Sequence, residues 1–153
     1  MAIEYKPFTG DQVYETYKKV IASRKDGVGI VTLNNPAECN VIGLDMYQEV
    51  ASALKEVESD DKVLVVLINA AGKDFSAGMD YREMPTDYRK VVRYLDQLGT
   101  YISVPGALTK PLIGAVQGRS YAGGRPLVIP SADIVVVAED VRIGFNGMNF
   151  GAP

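Results

Sequence analysis

The chain has 153 residues, 47% apolar and 23% charged, which is the range of one globular domain with a buried core and argues against disorder or a collagen-like fibre. Its net charge of −3, with acidic and basic residues interspersed, leaves no contiguous positive face for nucleic acid or an anionic membrane. With no histidine and a single cysteine, the chain cannot build a Ser-His-Asp or Cys-His relay, an H-E-x-x-H zinc site or an internal disulfide, so proton transfer falls to Asp, Glu, Tyr, Lys or water.

Residues 1–15 hold Pro7 and Gly10 and show no clear period, so they are expected to form a loose N-terminal arm, with the core domain over 16–153. The start, Met-Ala-Ile-Glu-Tyr-Lys-Pro, has no apolar targeting region, and the longest apolar stretch, 63–68, is too short to span a bilayer. With the lone Cys39 these features give the expectation of a cytoplasmic protein. Residues 17–23 and 28–33 are rich in β-formers and flank Lys25-Asp26-Gly27, a turn of the Asp-Gly type that joins antiparallel strands. From Leu44 the apolar positions Tyr47, Val50, Ala51, Leu54 and Val57 follow the 3.6-residue period of a core-facing helix.

Residues 63–68 form a continuous β-branched-rich run, the pattern of a strand covered on both faces. Thr86 is placed to cap a second helix with the stripe Tyr88, Val91, Val92, Leu95 and Leu98. A strand fits 112–116, a small-residue turn 118–124, a short helix 127–129 and another buried strand 134–138. Strands alternating with helices after a hairpin imply an α/β fold in which 63–68, 112–116 and 134–138 are neighbouring parallel strands with their carboxyl ends on one side.

Two glycine-rich loops follow buried strands, residues 70–80 and residues 116–124. Carboxyl ends of parallel strands are where α/β folds bind ligands, and small residues let a backbone N–H approach a ligand atom. Two such amides converging on one carbonyl oxygen make an oxyanion hole; tight turns without function account for the same glycines. Gly72-Lys73 lacks the upstream glycine of a P-loop, and Gly27-Val28-Gly29 is followed by Thr32 where a dinucleotide fingerprint requires glycine.

Val31-Thr32-Leu33-Asn34-Asn35-Pro36, Asn40, the stretch from Gly72 to Asp80, the stretch from Lys110 to Gly118, and Ala132-Asp133-Ile134 together resemble the crotonase (enoyl-CoA hydratase/isomerase) superfamily, in its order and nearly at its spacings. The resemblance implies a ββα superhelix that binds an acyl-CoA thioester, with coenzyme A as part of the substrate and no other cofactor or metal, and a homo-oligomer, trimer or hexamer. It assigns the two catalytic amides to Met79 and Gly123, with Gly124 chosen instead if the count runs back from Asp133. Gly78 and Asp80 flank the first donor, and Asp80 is expected to fasten its loop by accepting backbone N–H bonds. Ala37 and Ala77 fall where relatives meet coenzyme A, and Arg24 and Lys25 are candidates for its phosphates.

The pattern also breaks. One glutamate of the family's hydratases aligns with Pro126 or Leu127 and the other with Gly147, neither able to move a proton, which speaks against ordinary enoyl-CoA hydration. Residues 143–151 resemble dihydroxynaphthoyl-CoA synthases, where glycine also replaces the second glutamate. Tyr121, Asp80 and Glu83 are the candidate acid–base groups, each with a structural role as the alternative. The sequence stops at Gly151-Ala152-Pro153, where relatives continue into helices that close the acyl pocket, so either a fragment or a shortened protein leaning on a partner is expected, with exposed apolar surface that favours self-association. The leading expectation is lyase or isomerase chemistry through a thioester oxyanion. Its rivals are a non-catalytic acyl-CoA-binding or assembly subunit, a synthase or decarboxylase of the dihydroxynaphthoyl-CoA kind, and a diketone hydrolase suggested by Pro126 and Pro130.

Overall fold

A computed structural model describes residues 8–145 of the chain. Among these, a mixed sheet of six strands runs in the order β1 (Gln12–Thr16), β2 (Val20–Lys25), β3 (Val28–Leu33), β4 (Val65–Ala70), β5 (Leu112–Val116), β7 (Ile134–Val137). The first three strands are antiparallel neighbours, and β3, β4, β5 and β7 are successive parallel neighbours. Parallel pairing in one sheet puts the carboxyl ends of β4 and β5 on one side, as expected. The hairpin turn has Asp26 at φ +47° and Gly27 at φ +81°, both in the left-handed region that a two-residue hairpin matching the twist of its strands requires.

Helix α1 (Leu44–Ser59) buries Met46, Tyr47, Val50, Leu54 and Val57 against the sheet, and α2 (Tyr88–Ile102) packs beside it. Gly29 of β3 marks the closest approach, since a β-carbon there would lie 2.9 Å from Val57 and Val63. A second, small layer holds β6 (Arg119–Tyr121) parallel to β8 (Arg142–Gly144), extended by bridges from Ser120 to Ser76 and from Met79 to Ile42. This α/β arrangement is the fold that the motif order implies.

Several local expectations are corrected. The N-terminal arm over 1–15 contains β1, an exposed edge strand whose only partly buried side chain is Tyr14, which left too little apolar alternation to reveal it. The strand expected over 63–68 is shifted to Val65–Ala70, because Leu64 points to solvent while Asn69 and Ala70 continue the ladder. Asp87, not Thr86, caps α2 by accepting the Lys90 N–H at 3.1 Å. The α2 stripe is rotated: Tyr94 and Leu98 are buried, whereas Tyr88 is 80% exposed. Residues 118–124 are not one turn but β6 followed by a 3-10 turn (Ala122–Leu127), which takes the place of the helix expected over 127–129. Strand β7 is parallel to β5 but not covered on both faces. Ile134 and Val136 are more than half exposed on the last strand of the sheet, because an apolar run alone cannot say which neighbour lies over it.

Candidate functional site

The first glycine-rich loop leaves β4 and is held by buried polar side chains at every turn. Gly72, at φ +85°, packs so tightly on Pro36 that a β-carbon would lie 2.6 Å from the proline ring. Asn40, fully buried, donates through Nδ2 to the carbonyls of Ala71 and Asp74, both at 2.9 Å, and accepts the Asn35 N–H at 2.8 Å. Phe75 anchors the loop in the core. Ser76 Oγ donates to the Asn40 carbonyl at 2.7 Å and accepts the Gly78 N–H at 3.1 Å.

The second loop is fastened to the first. Gln117 Nε2 donates to the carbonyls of Ala70 and Gly72 at 2.8 and 3.1 Å. Arg119 grips Asp74 with its backbone N–H, Nε and Nη2 at 2.9, 2.9 and 2.6 Å, a charge-assisted fork that holds the buried carboxyl below the usual carboxylate range. The Ser76 N–H donates to the Arg119 carbonyl and the Tyr121 N–H to the Ser76 carbonyl, at 2.9 and 3.0 Å.

These bonds bring Met79 and Gly123 together. The Gly78 carbonyl accepts the Ile42 N–H at 2.8 Å, and in a trans peptide the following N–H points the opposite way, so the Met79 N–H is turned away from Ile42. Gly123 packs on that same peptide, and a β-carbon at 123 would lie 3.0 Å from Met79 N and 3.2 Å from Met79 Cα. Gly123 is the second residue of the 3-10 turn, so its N–H is among the first-turn amides that the turn leaves without an acceptor. Left-handed backbone is found at the neighbours instead, Gly78 at φ +109° and Ala122 at φ +32°. Gly124 faces Ser76, whose Cβ a β-carbon at 124 would meet at 2.3 Å, so it serves the packing of the two loops.

A cleft of about 340 Å³ is walled by Glu38, Cys39, Ala77, Met79, Asp80 and Arg82. Gly123 and Gly124 are not on its wall. Ala37 lies exposed in the 3-10 turn (Pro36–Glu38), next in sequence to Glu38 of the wall but not itself on it. Asp80 accepts the Arg82 N–H at 3.0 Å and pairs with its guanidinium at 2.8 and 2.6 Å, which keeps its carboxyl below the usual range and fastens the loop as expected. Glu83 caps α1 by accepting the Leu44 N–H at 2.9 Å, a contact of the structural kind expected as the alternative to acid–base work. Tyr121 stands half-buried beside Gly144.

Leu127, at one of the two glutamate positions, is fully buried; Gly147, and residues 146–151 of the synthase-like stretch, lie outside the described residues. Arg24, considered for a phosphate, pairs with Asp60 at 3.1 Å, and Lys25 lies 3.7 Å from Asp11. Among the described residues, no group of three or more His, Cys, Asp or Glu side chains is placed to hold a metal, and no helix is long and apolar enough to cross a membrane.

The sequence reading missed the Asp74–Arg119 fork and the hydroxyl of Tyr47, which donates to the Gly123 carbonyl. Asn40 did stand among the motif residues, though with no role attached.

The family model described as enoyl-CoA hydratase/isomerase matches residues 23–153. A short-chain-enoyl-CoA hydratase of Clostridium acetobutylicum is 33% identical over 127 residues, 82% of this chain and 48% of the relative. A trans-2-decenoyl-(acyl-carrier-protein) isomerase of Streptococcus mutans is 28% identical over 131 residues, 82% of this chain and 49% of the relative. The crystal structure of an enoyl-CoA hydratase/isomerase from Xanthobacter autotrophicus Py2 superposes with a TM-score of 0.84 at 29% identity, covering 90% of this chain and 52% of that one. The chain thus spans about half the length of the relatives it matches.

Proposed function

The chain belongs to the enoyl-CoA hydratase/isomerase family, and from that premise we propose that its two fastened loops hold the carbonyl oxygen of an acyl-CoA thioester between the amides of Met79 and Gly123, stabilising an enolate or related oxyanion in lyase or isomerase chemistry. The observation that carries this reading is the contact of Gly123 with the Met79 peptide, where a β-carbon would lie 3.0 Å from the nitrogen. That contact sets the Gly123 backbone directly against the Met79 peptide, and only glycine allows so close an approach, since a β-carbon would stand inside ordinary contact with Met79 N; two amides this near to one another can serve a common oxygen. Donors already fixed in the protein stabilise developing charge without reorganising, and the hydrogen bonds from Asn40, Ser76, Gln117 and Arg119 supply that fixity. Ala37 and Ala77 would meet the coenzyme A portion along the cleft, and the exposed apolar residues of β7 support self-association.

The test is a titration with acetoacetyl-CoA. Its acidic methylene ionises to an enolate with its own ultraviolet band, and an oxyanion hole should bring that band out near neutral pH. A bound thioester with no enolate band in folded protein overturns the hole. One observation favours a second reading, an acyl-CoA-binding subunit without turnover: Leu127, which with Pro126 is one of the two residues that align with a hydratase glutamate, is fully buried, and neither side chain can transfer a proton. On that reading the enolate band appears while crotonyl-CoA is not turned over.

A further inference from the structure

We propose that Tyr47 is a positioning residue of this site: its hydroxyl clamps the Gly123 carbonyl and so keeps the Gly123 amide registered against the Met79 amide. The inference rests on the reading of the two amides as a carbonyl site and adds a side chain that the family resemblance does not assign. Tyr47 lies in the first turns of α1, on the helix face that fills the core, and is only 1% exposed. Its hydroxyl donates to the Gly123 carbonyl and sits 3.1 Å from where a β-carbon on Gly123 would be.

Three features make this bond more than core packing. A phenylalanine would fill the same space, so the hydroxyl is retained at a buried place where only a polar partner justifies it. The residue before Gly123 is strained: Ala122 sits at φ +32°, a conformation that a side chain with a β-carbon adopts only where the surroundings over-determine it. The Gly123 carbonyl belongs to the Gly123–Gly124 peptide and the Gly123 N–H to the Ala122–Gly123 peptide, with the freest backbone of any residue between them, so the N–H keeps its direction only if the glycine is held on both sides, by the over-determined Ala122 before it and by a bond to its own carbonyl after it. The Tyr47 bond fixes the Gly123–Gly124 peptide from α1, an element that carries no other part of the carbonyl site. Burial also pushes the Tyr47 hydroxyl well above the ordinary phenol range, with neighbouring Tyr94 adding to the effect, so it stays protonated and able to donate at any working pH.

The experiment compares Tyr47→Phe with the wild-type full chain, using acetoacetyl-CoA and free coenzyme A as probes. Wild type should show the enolate band; if it does not, the carbonyl site itself fails and this inference with it. Given the band in wild type, Tyr47→Phe should bind free coenzyme A with unchanged Kd yet lose enolate stabilisation by on the order of ten-fold, less than the 10²–10³ of a deleted donor. That loss would appear as the band emerging about one pH unit higher. Equal enolate formation in the folded variant overturns the clamp while leaving the two-amide reading intact. A merely structural role would move the melting temperature but not the split between the two probes. Should Tyr47→Phe fail to fold, 3-fluorotyrosine incorporated at position 47 keeps the hydroxyl and reports by fluorine NMR. Its resonance should move on adding acetoacetyl-CoA and stay still with free coenzyme A, and a resonance that ignores both refutes the proposal.

Discussion

Replacing Gly123 by alanine puts one methyl group at the point where the two loops meet. Its three nearest atoms would be Met79 N at 3.0 Å, the Tyr47 hydroxyl at 3.1 Å and Met79 Cα at 3.2 Å, each a few tenths of an ångström inside ordinary contact. Such overpacking costs about 1–3 kcal/mol. Gly123 is outside the left-handed region, so alanine adopts its backbone without strain and recovers about 0.4–1 kcal/mol by restricting the unfolded chain. A net destabilisation of about 1 kcal/mol should leave Gly123→Ala folded. The effect on chemistry is expected to be larger. The methyl forces the Gly123 and Met79 peptides apart by a few tenths of an ångström and so spoils the convergence of their amides on one oxygen; losing one such donor costs on the order of 10²–10³ in kcat, roughly 3–4 kcal/mol. Melting curves read the first quantity; steady-state turnover of enoyl-CoA and β-ketoacyl-CoA thioesters, or the acetoacetyl-CoA enolate band, reads the second. A folded Gly123→Ala protein with wild-type thioester chemistry would show that no carbonyl sits against the Met79 amide.

Met79→Ala should leave thioester turnover within a few-fold of wild type, because the proposed donor is its backbone; a hundred-fold loss would put the function in the side chain instead. Asp74→Asn strips the Arg119 fork of its charge and, with Arg119 partly exposed, should cost about 2–3 kcal/mol by thermal melting, toward the low side of breaking a buried pair. The Asp74 carboxyl is depressed in the folded protein by Arg119, so its contribution is fully present above the unfolded value near pH 4 and is lost as pH falls below it. Melting temperature plotted from pH 7 to pH 3 should therefore fall less steeply for Asp74→Asn than for wild type, and parallel curves refute the pair's role. Glu83→Gln should lower stability by about 1 kcal/mol through the weakened cap of α1 without touching turnover. Gly43→Ala, whose β-carbon would stand 2.2 Å from Glu83 Oε1, should add little in the double variant, since both changes break the same cap.

What the sequence disclosed and what it hid divide along a physical line. The hairpin turn, α1 and the parallel order of β4, β5 and β7 were legible because each depends on local chemistry: an Asp-Gly turn, a 3.6-residue stripe, a β-branched run. Strand β1 and the orientation of α2 were not, since β1 keeps no buried alternation and α2 offers two apolar rows, Tyr88 with Val92 and Leu95, and Val91 with Tyr94 and Leu98. Only packing against α1 selects the second row. The glycine-rich loops were visible as loops, because a glycine that admits no β-carbon is a composition signal. Their glycines nevertheless serve unlike purposes: at 118 a β-carbon would strike the Lys73 carbonyl at 2.2 Å, at 124 it would strike Ser76, and at 123 it would meet the Met79 amide. Counting along the chain could not separate 123 from 124, whereas the contacts do, because only one of the two touches a backbone donor that is turned away from its own strand partner. Tyr47 shows the same limit from the other side. Its ring obeys the helix period and so reads as core, while its hydroxyl answers to a carbonyl 76 positions later, a separation at which periodicity carries no information. A bond of that kind can be found only where the folded chain closes it.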